Sequence, residues 1–142
     1  SHKIGTWGHG YTASGHPVAA AVALENLRII EERDLVGHVK DVSPRFIERL
    51  NAFADHPLVV ETRGLGLIGT IEVAHEKHAD APGALGGRLN RELQERGLIS
   101  RNMGDALAFC PPLVITEPQI DEMFDVFAGA LDAVAKDLDA SA

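Results

Sequence analysis

One cysteine, Cys110, stands in 142 residues. That excludes an intramolecular disulfide and agrees with a reducing, cytoplasmic setting. Positive charge is scarce: 13 Lys and Arg face 21 Asp and Glu, a net charge of −8. No basic run occurs, which argues against a nucleic-acid surface and against binding to an anionic membrane. Long hydrophobic runs are missing too. The longest, Val18 to Leu24, falls far short of the ~20 residues that span a bilayer, and the first residues do not read as a signal peptide. No P-loop, Rossmann glycine pattern or Ser-His-Asp order is present, nor any repeat or low-complexity segment. What remains is an ordinary globular balance, 45% hydrophobic and 24% charged, in a length that suits one domain with a real core.

The patterning predicts eight elements. His16 to Arg33 reads as a long helix with Ala20, Leu24, Leu27 and Ile30 on one stripe. Asp34 can cap a second helix, Leu35 to about Ala54, burying Val36, Val39, Phe46, Leu50 and Phe53. Pro44 predicts a kink or break near Asp41 to Ser43. Leu58 to Thr62 is a short β-branched strand. Gly64 and Gly66 mark a turn or bulge, and Leu67 to Val73 resumes as a strand. After a polar loop from Ala74 to Pro82, Ala84 to Arg96 is an amphipathic helix with Gly97 as its C-terminal cap. Leu98 to Arg101 and Leu107 to Cys110 form a hairpin. Thr116 and Gln119 make a capping box for a last helix, Glu117 to about Leu138. The order predicts an α+β domain: a small, mostly antiparallel sheet with helices packed on one face.

The most informative segment is His9-Gly10-Tyr11-Thr12-Ala13-Ser14-Gly15-His16-Pro17, a polar, glycine-spaced loop running into the first helix. Ser14 or His16 can stand at the cap, and Pro17 fits the first turn, where a missing N–H costs nothing. Taken by themselves these residues describe a well-capped helix. The same loop also sets backbone N–H groups and two hydroxyls beside the positive end of a helix, a combination that suits phosphate.

The order of residues adds more. Thr12 to Ala21, preceded by His9-Gly10-Tyr11, resembles a signature of the class III (omega) aminotransferases, pyridoxal-phosphate enzymes of fold type I. Thr62-Arg63-Gly64-Leu65-Gly66-Leu67-Ile68-Gly69 resembles that family's glycine-rich strand opening. Gly97 to Arg101 followed by Pro111 to Thr116 resembles its last strands and the start of its final helix. The resemblance runs from about His9 to Leu138. It implies that residues 1–15 are a phosphate-contact loop between domains and residues 16–142 the C-terminal small domain of a longer enzyme. The opening Ser1-His2-Lys3-Ile4-Gly5-Thr6-Trp7, with no helix or strand pattern, fits that expectation of a fragment.

The site residues follow. The resemblance implies that Thr12 donates to the cofactor phosphate of the neighbouring subunit, with the backbone of Tyr11 nearby. Ala13 departs from the bulkier aromatic often found there. Arg101 lies at the end of a predicted strand, in a run otherwise free of charge before a glycine-containing turn. Its guanidinium is suited to gripping a carboxylate with two hydrogen bonds, or to pairing with Asp105. The resemblance implies that it binds the substrate carboxylate and swings away for neutral amines. Arg63, before Gly64, can bind a carboxylate or brace the sheet, and the bracing role is the favoured one. His75 and His78 read as part of a solvated loop, and no metal site is expected. Cys110 reads as a small buried hydrophobe.

Pyridoxal-phosphate transamination needs a Schiff-base lysine and a carboxylate beside the pyridine nitrogen. None of Lys3, Lys40, Lys77 and Lys136 matches the family's lysine motif, so no catalytic residue is assigned and the chain alone is expected to be inactive. The resemblance implies an intact homodimer with a shared active site, passing an amino group from an amine or amino acid to a keto acid such as pyruvate. The alternatives are an aminomutase, an ornithine- or acetylornithine-type aminotransferase, and a non-catalytic stand-alone binding or dimerisation module.

Overall fold

The computed structural model describes Gly5, Gly8 and residues 10–140; the predicted start of the phosphate loop at His9 lies outside the described residues. The contacts divide the chain into two units, Ser1–Asp34 and Leu35–Ala142.

The first unit carries helix α1, Pro17–Glu32. Pro17 takes the first turn as expected. His16 is the N-cap but makes no side-chain cap hydrogen bond. Ser14 does not cap the helix either. Its Oγ accepts from the Tyr11 N–H at 2.8 Å, while its own N–H donates to the Tyr11 carbonyl at 2.9 Å. No residue of α1 is buried, although Val18 to Leu24 is apolar on every side.

The second unit holds three helices and the sheet. Asp34, with φ of 44°, precedes α2, Leu35–Asn51, which contains Pro44 without the predicted break. Proline at 44 leaves the Lys40 carbonyl without its usual donor. Ser43 Oγ donates to that carbonyl instead, at 3.3 Å. Along α2, Phe46 and Leu50 are buried as predicted and Val39 packs against the core, as does Phe53 in the turn after the helix, which ends at Asn51 rather than near Ala54. Val36 does not: it is 70% exposed, and Val42 holds the buried position.

Two hairpins build a four-stranded antiparallel sheet in the order β1-β2-β4-β3, from β1 Val59–Leu65, β2 Ile68–Val73, β3 Arg101–Met103 and β4 Ala106–Phe109. Leu65 pairs with Ile68, so the turn is Gly66-Leu67 and Gly66 supplies the positive φ of 61°. Gly64 therefore lies inside β1 rather than in the turn. Its reason is packing: a Cβ there would sit 2.9 Å from Ile47 and Leu50, and one on its pair partner Gly69 would sit 2.8 Å from Phe46. The glycine pair lets α2 lie close against the sheet.

A short 3₁₀ turn, Glu76–His78, interrupts the polar loop. Helix α3, Ala84–Glu95, ends with Gly97 at φ 85° as its pattern predicts. Helix α4, Glu117–Ala140, opens where Gln119 Oε1 accepts from both the N–H and the hydroxyl of Thr116, each at 3.0 Å.

The core lies between one sheet face and the helices. Ile71, Val73, Leu107 and Phe109 meet Phe46, Leu50, Leu89, Leu93, Ile120, Phe124 and Leu131 there. All five phenylalanines belong to this cluster, with ring centroids 4.9 to 6.0 Å apart. Edge-to-face rings such as Phe53–Phe127 and Phe109–Phe127 add about 0.5–1.5 kcal/mol per pair beyond area burial. Outside it, Arg45 and Arg49 of α2 pair with Asp121 and Asp125 of α4. The α+β architecture, with helices on one sheet face, is thus the one predicted.

Candidate functional site

The other face of the sheet carries the two arginines singled out from the sequence. Pairing places Arg63, Thr70, Ala108 and Arg101 in one row across all four strands. Because side chains alternate along a strand, and Gly69, Ile71, Leu107 and Phe109 turn to the helices, this row turns away from them. Arg63 and Arg101 stand at its two edges.

Arg63 is committed. Its Nη1 donates to Glu61 Oε2 at 2.7 Å and to Glu72 Oε2 at 3.0 Å. The Glu72 hydrogen bond, with the nearby charge of Glu61, raises its pKa above the ordinary guanidinium value. Arg63 ties β1 to β2, the bracing role read from the sequence.

Arg101 differs. It is the first residue of β3, not the last of a strand as predicted, because pairing begins at Arg101–Ala108. The residue is exposed, and among the described residues its guanidinium has no ion-pair or hydrogen-bond partner. The alternative partner, Asp105, is occupied. Its Oδ2 accepts the Gly83 N–H at 2.6 Å and its Oδ1 the Gly86 N–H at 2.8 Å. Sequence reasoning missed this role for Asp105. The signal was the start of α3, where Pro82-Gly83-Ala84 offers no side-chain cap and leaves amide donors to be satisfied from elsewhere in the chain.

In the first unit, Tyr11 and Thr12 are exposed, in the turn closed by Tyr11 and Ser14. That turn engages the N–H groups of Tyr11, Ser14 and His16 internally. No described residue bonds the Thr12 hydroxyl, which stands just ahead of a 16-residue helix. A free hydroxyl near a helix N-terminus fits a phosphate.

The remaining candidates have other roles. His75 Nδ1 accepts from the Lys77 N–H at 3.2 Å and caps the 3₁₀ turn. Cys110 is exposed, contrary to its reading as a buried hydrophobe: β4 ends at Phe109, and the two prolines after Cys110 cannot extend the sheet.

The family model described as aminotransferase class III matches residues 2–131. The chain belongs to the class III aminotransferases. It is 43% identical over 137 residues to gamma-aminobutyrate transaminase 1, mitochondrial, of Oryza sativa subsp. indica, covering 94% of this chain and 27% of that protein. A solved structure described as a transaminase with L-ala superposes with a TM-score of 0.85 at 56% identity, covering 97% of this chain and 34% of that one. The omega transaminase from Pseudomonas jessenii in complex with PMP gives a TM-score of 0.83 at 46% identity, over 96% and 31% of the two chains. This class III chain therefore spans about a third or less of the length of these relatives. Among the described residues no helix is long and apolar enough to cross a membrane.

Proposed function

We propose that the chain is the C-terminal portion of a pyridoxal-phosphate-dependent aminotransferase that moves an amino group from an amine or amino acid to a keto acid such as pyruvate. The observation that carries this reading is the unpartnered guanidinium of Arg101 on the sheet face away from the helices, at the edge opposite an arginine that is paired. Family membership supports the reaction class, and the relatives' names support amino-group transfer.

When bound, pyridoxal phosphate supplies the carbonyl that takes up the amino group and a ring that withdraws electrons from the substrate carbon. This chain's residues would hold and orient. The Thr12 hydroxyl would donate to the phosphate, with the Tyr11 backbone beside it, across the interface of a homodimer with a shared site. Arg101 would take the substrate carboxylate through two parallel N–H···O bonds, which fixes the direction in which the amine is presented. The lysine that carries the proton would come from outside these residues, so the isolated chain would be inactive. The single cysteine fits a reducing, cytoplasmic compartment.

Two substitutions in the full-length enzyme test this. Thr12→Ala is expected to weaken pyridoxal-phosphate affinity about tenfold, the effect of one hydrogen bond to a charged group. Arg101→Leu is expected to lower kcat/KM for carboxylate-bearing donors at least tenfold while sparing neutral amines. An unchanged cofactor affinity together with an unchanged donor preference would remove both site assignments.

A further inference from the structure

Asp105 is the one acidic residue between Glu95 and Glu117, and therefore the only carboxylate on the β3–β4 hairpin that could neutralise Arg101. It occupies the second place of the two-residue turn Gly104-Asp105, since Met103 pairs with Ala106. Its two carboxylate oxygens are each used on a different amide of the α3 start, at Gly83 and Gly86. Its backbone carbonyl is also used, accepting from the Val73 N–H at 3.0 Å. The helix start and the turn are in backbone contact: a Cβ at Gly86 would lie 2.3 Å from the Gly104 carbonyl oxygen and 2.7 Å from Asp105 Cα. One residue thus joins β2, the turn and α3.

We propose that Asp105 is a positioning residue for Arg101. It holds the turn on α3 and keeps its own charge there, leaving the guanidinium four residues earlier unpaired and open to a substrate carboxylate. Strand β3 has three residues, lies at a sheet edge and pairs only with β4. Its other neighbour is α3, the helix on whose start the turn is anchored, so the anchored turn sets where Arg101 begins. The negative carboxylate also suits the positive end of α3, which holds it against the pull of a nearby cation. The inference rests on the reading of Arg101 as the carboxylate-binding residue.

The test uses Asp105→Asn in the full-length enzyme loaded with its cofactor, with a carboxylate-bearing donor and a neutral amine compared side by side. Asparagine keeps the shape but can accept only one of the two N–H groups well. The expected result is a rise of about tenfold in KM for the carboxylate donor, the usual effect of one hydrogen bond to a charged group. kcat should hold, and kcat/KM for the neutral amine should stay within twofold. Amide hydrogen exchange at Gly83 and Gly86 should quicken in the same variant. In an Arg101→Leu background, Asp105→Asn should add nothing further to donor preference. Equal losses for both donors would overturn the proposal, leaving Asp105 a purely structural cap. Faster exchange with unchanged kinetics would overturn it as well. If Arg101→Leu itself leaves donor preference unchanged, the underlying reading of Arg101 falls and this inference with it. If Arg101→Leu abolishes the preference and Asp105→Asn does not move it, only the inference about Asp105 falls.

Discussion

Arg63 and Arg101 stand at opposite edges of one row of the sheet, linked through Thr70 and Ala108, and only Arg63 is neutralised. Glu61 and Glu72 flank it on the same face, whereas the sole acidic neighbour of Arg101 on its hairpin is turned onto α3. Two like side chains in like strand positions thus differ in whether their charge is available to a ligand.

That difference gives a paired prediction. In the full-length enzyme, Arg63→Leu should leave the preference for carboxylate donors within about twofold of the parent, because its charge is already satisfied. Arg101→Leu should remove at least tenfold of that preference, as expected when a charged hydrogen-bonding group is lost. Steady-state kinetics with one acidic and one neutral donor decides it.

Gly86 is a helical residue where alanine would ordinarily help by up to about 1 kcal/mol. Here the sign should reverse. The added Cβ meets the Gly104 carbonyl at 2.3 Å, and backbone cannot move aside as a side-chain tip can. Gly86→Ala is expected to cost about 1–3 kcal/mol, the usual range for overpacking, read from the urea midpoint. Gly87→Ala is the control, since a Cβ there meets only the Asn102 side chain, at 3.9 Å.

Phe124 is fully buried and touches the rings of Phe46, Phe53 and Phe109. Phe124→Ala should destabilise the second unit by about 3–5 kcal/mol through lost transfer energy and the cavity left behind. Chemical denaturation monitored by circular dichroism would measure it.

On α1, Arg28 bonds Glu25 at 2.8 Å and also Glu32, and the Arg28 hydrogen bond lowers the Glu25 pKa below its ordinary 4.5. A carboxyl whose folded value is depressed stabilises the fold fully above its unfolded value, and that contribution is lost as pH falls through the folded one. Glu25 should therefore titrate below 4.5 by NMR. Arg28→Ala should return it toward that value, and added salt should narrow the gap because the pair is exposed.

The element order was legible because most segments carry one clear period: of the α4 stripe Ile120, Met123, Phe124, Phe127, Leu131 and Val134, all are buried except Met123, which packs partly buried against the core. Gly97 and the Thr116–Gln119 cap were legible because their chemistry is local. One misreading comes from a partner distant in sequence, the others from local detail. Gly64 looked like a turn because the neighbour that requires it, Leu50, lies on α2. At Pro44 the sequence predicts a kink or a break, and the break does not occur: Ser43 Oγ takes the Lys40 carbonyl, which depends on a rotamer of Ser43. Val36 fits the apolar period of α2, yet that part of the helix presents it to solvent. At the site, Arg101 was recognisable by type and context. That Asp105 is occupied depends on amides some 20 residues earlier, which no local pattern encodes.

The bulge at the start of β1 has a consequence for how the sheet meets other chains. Val59 pairs with Val73 and Glu61 with Glu72, leaving Val60 without an opposite number. A bulge twists an outer strand and breaks its even row of donors and acceptors. At the far edge, β3 offers only three residues. Neither border presents a long, flat template, so the sheet should resist adding strands from other molecules and growing into fibrils.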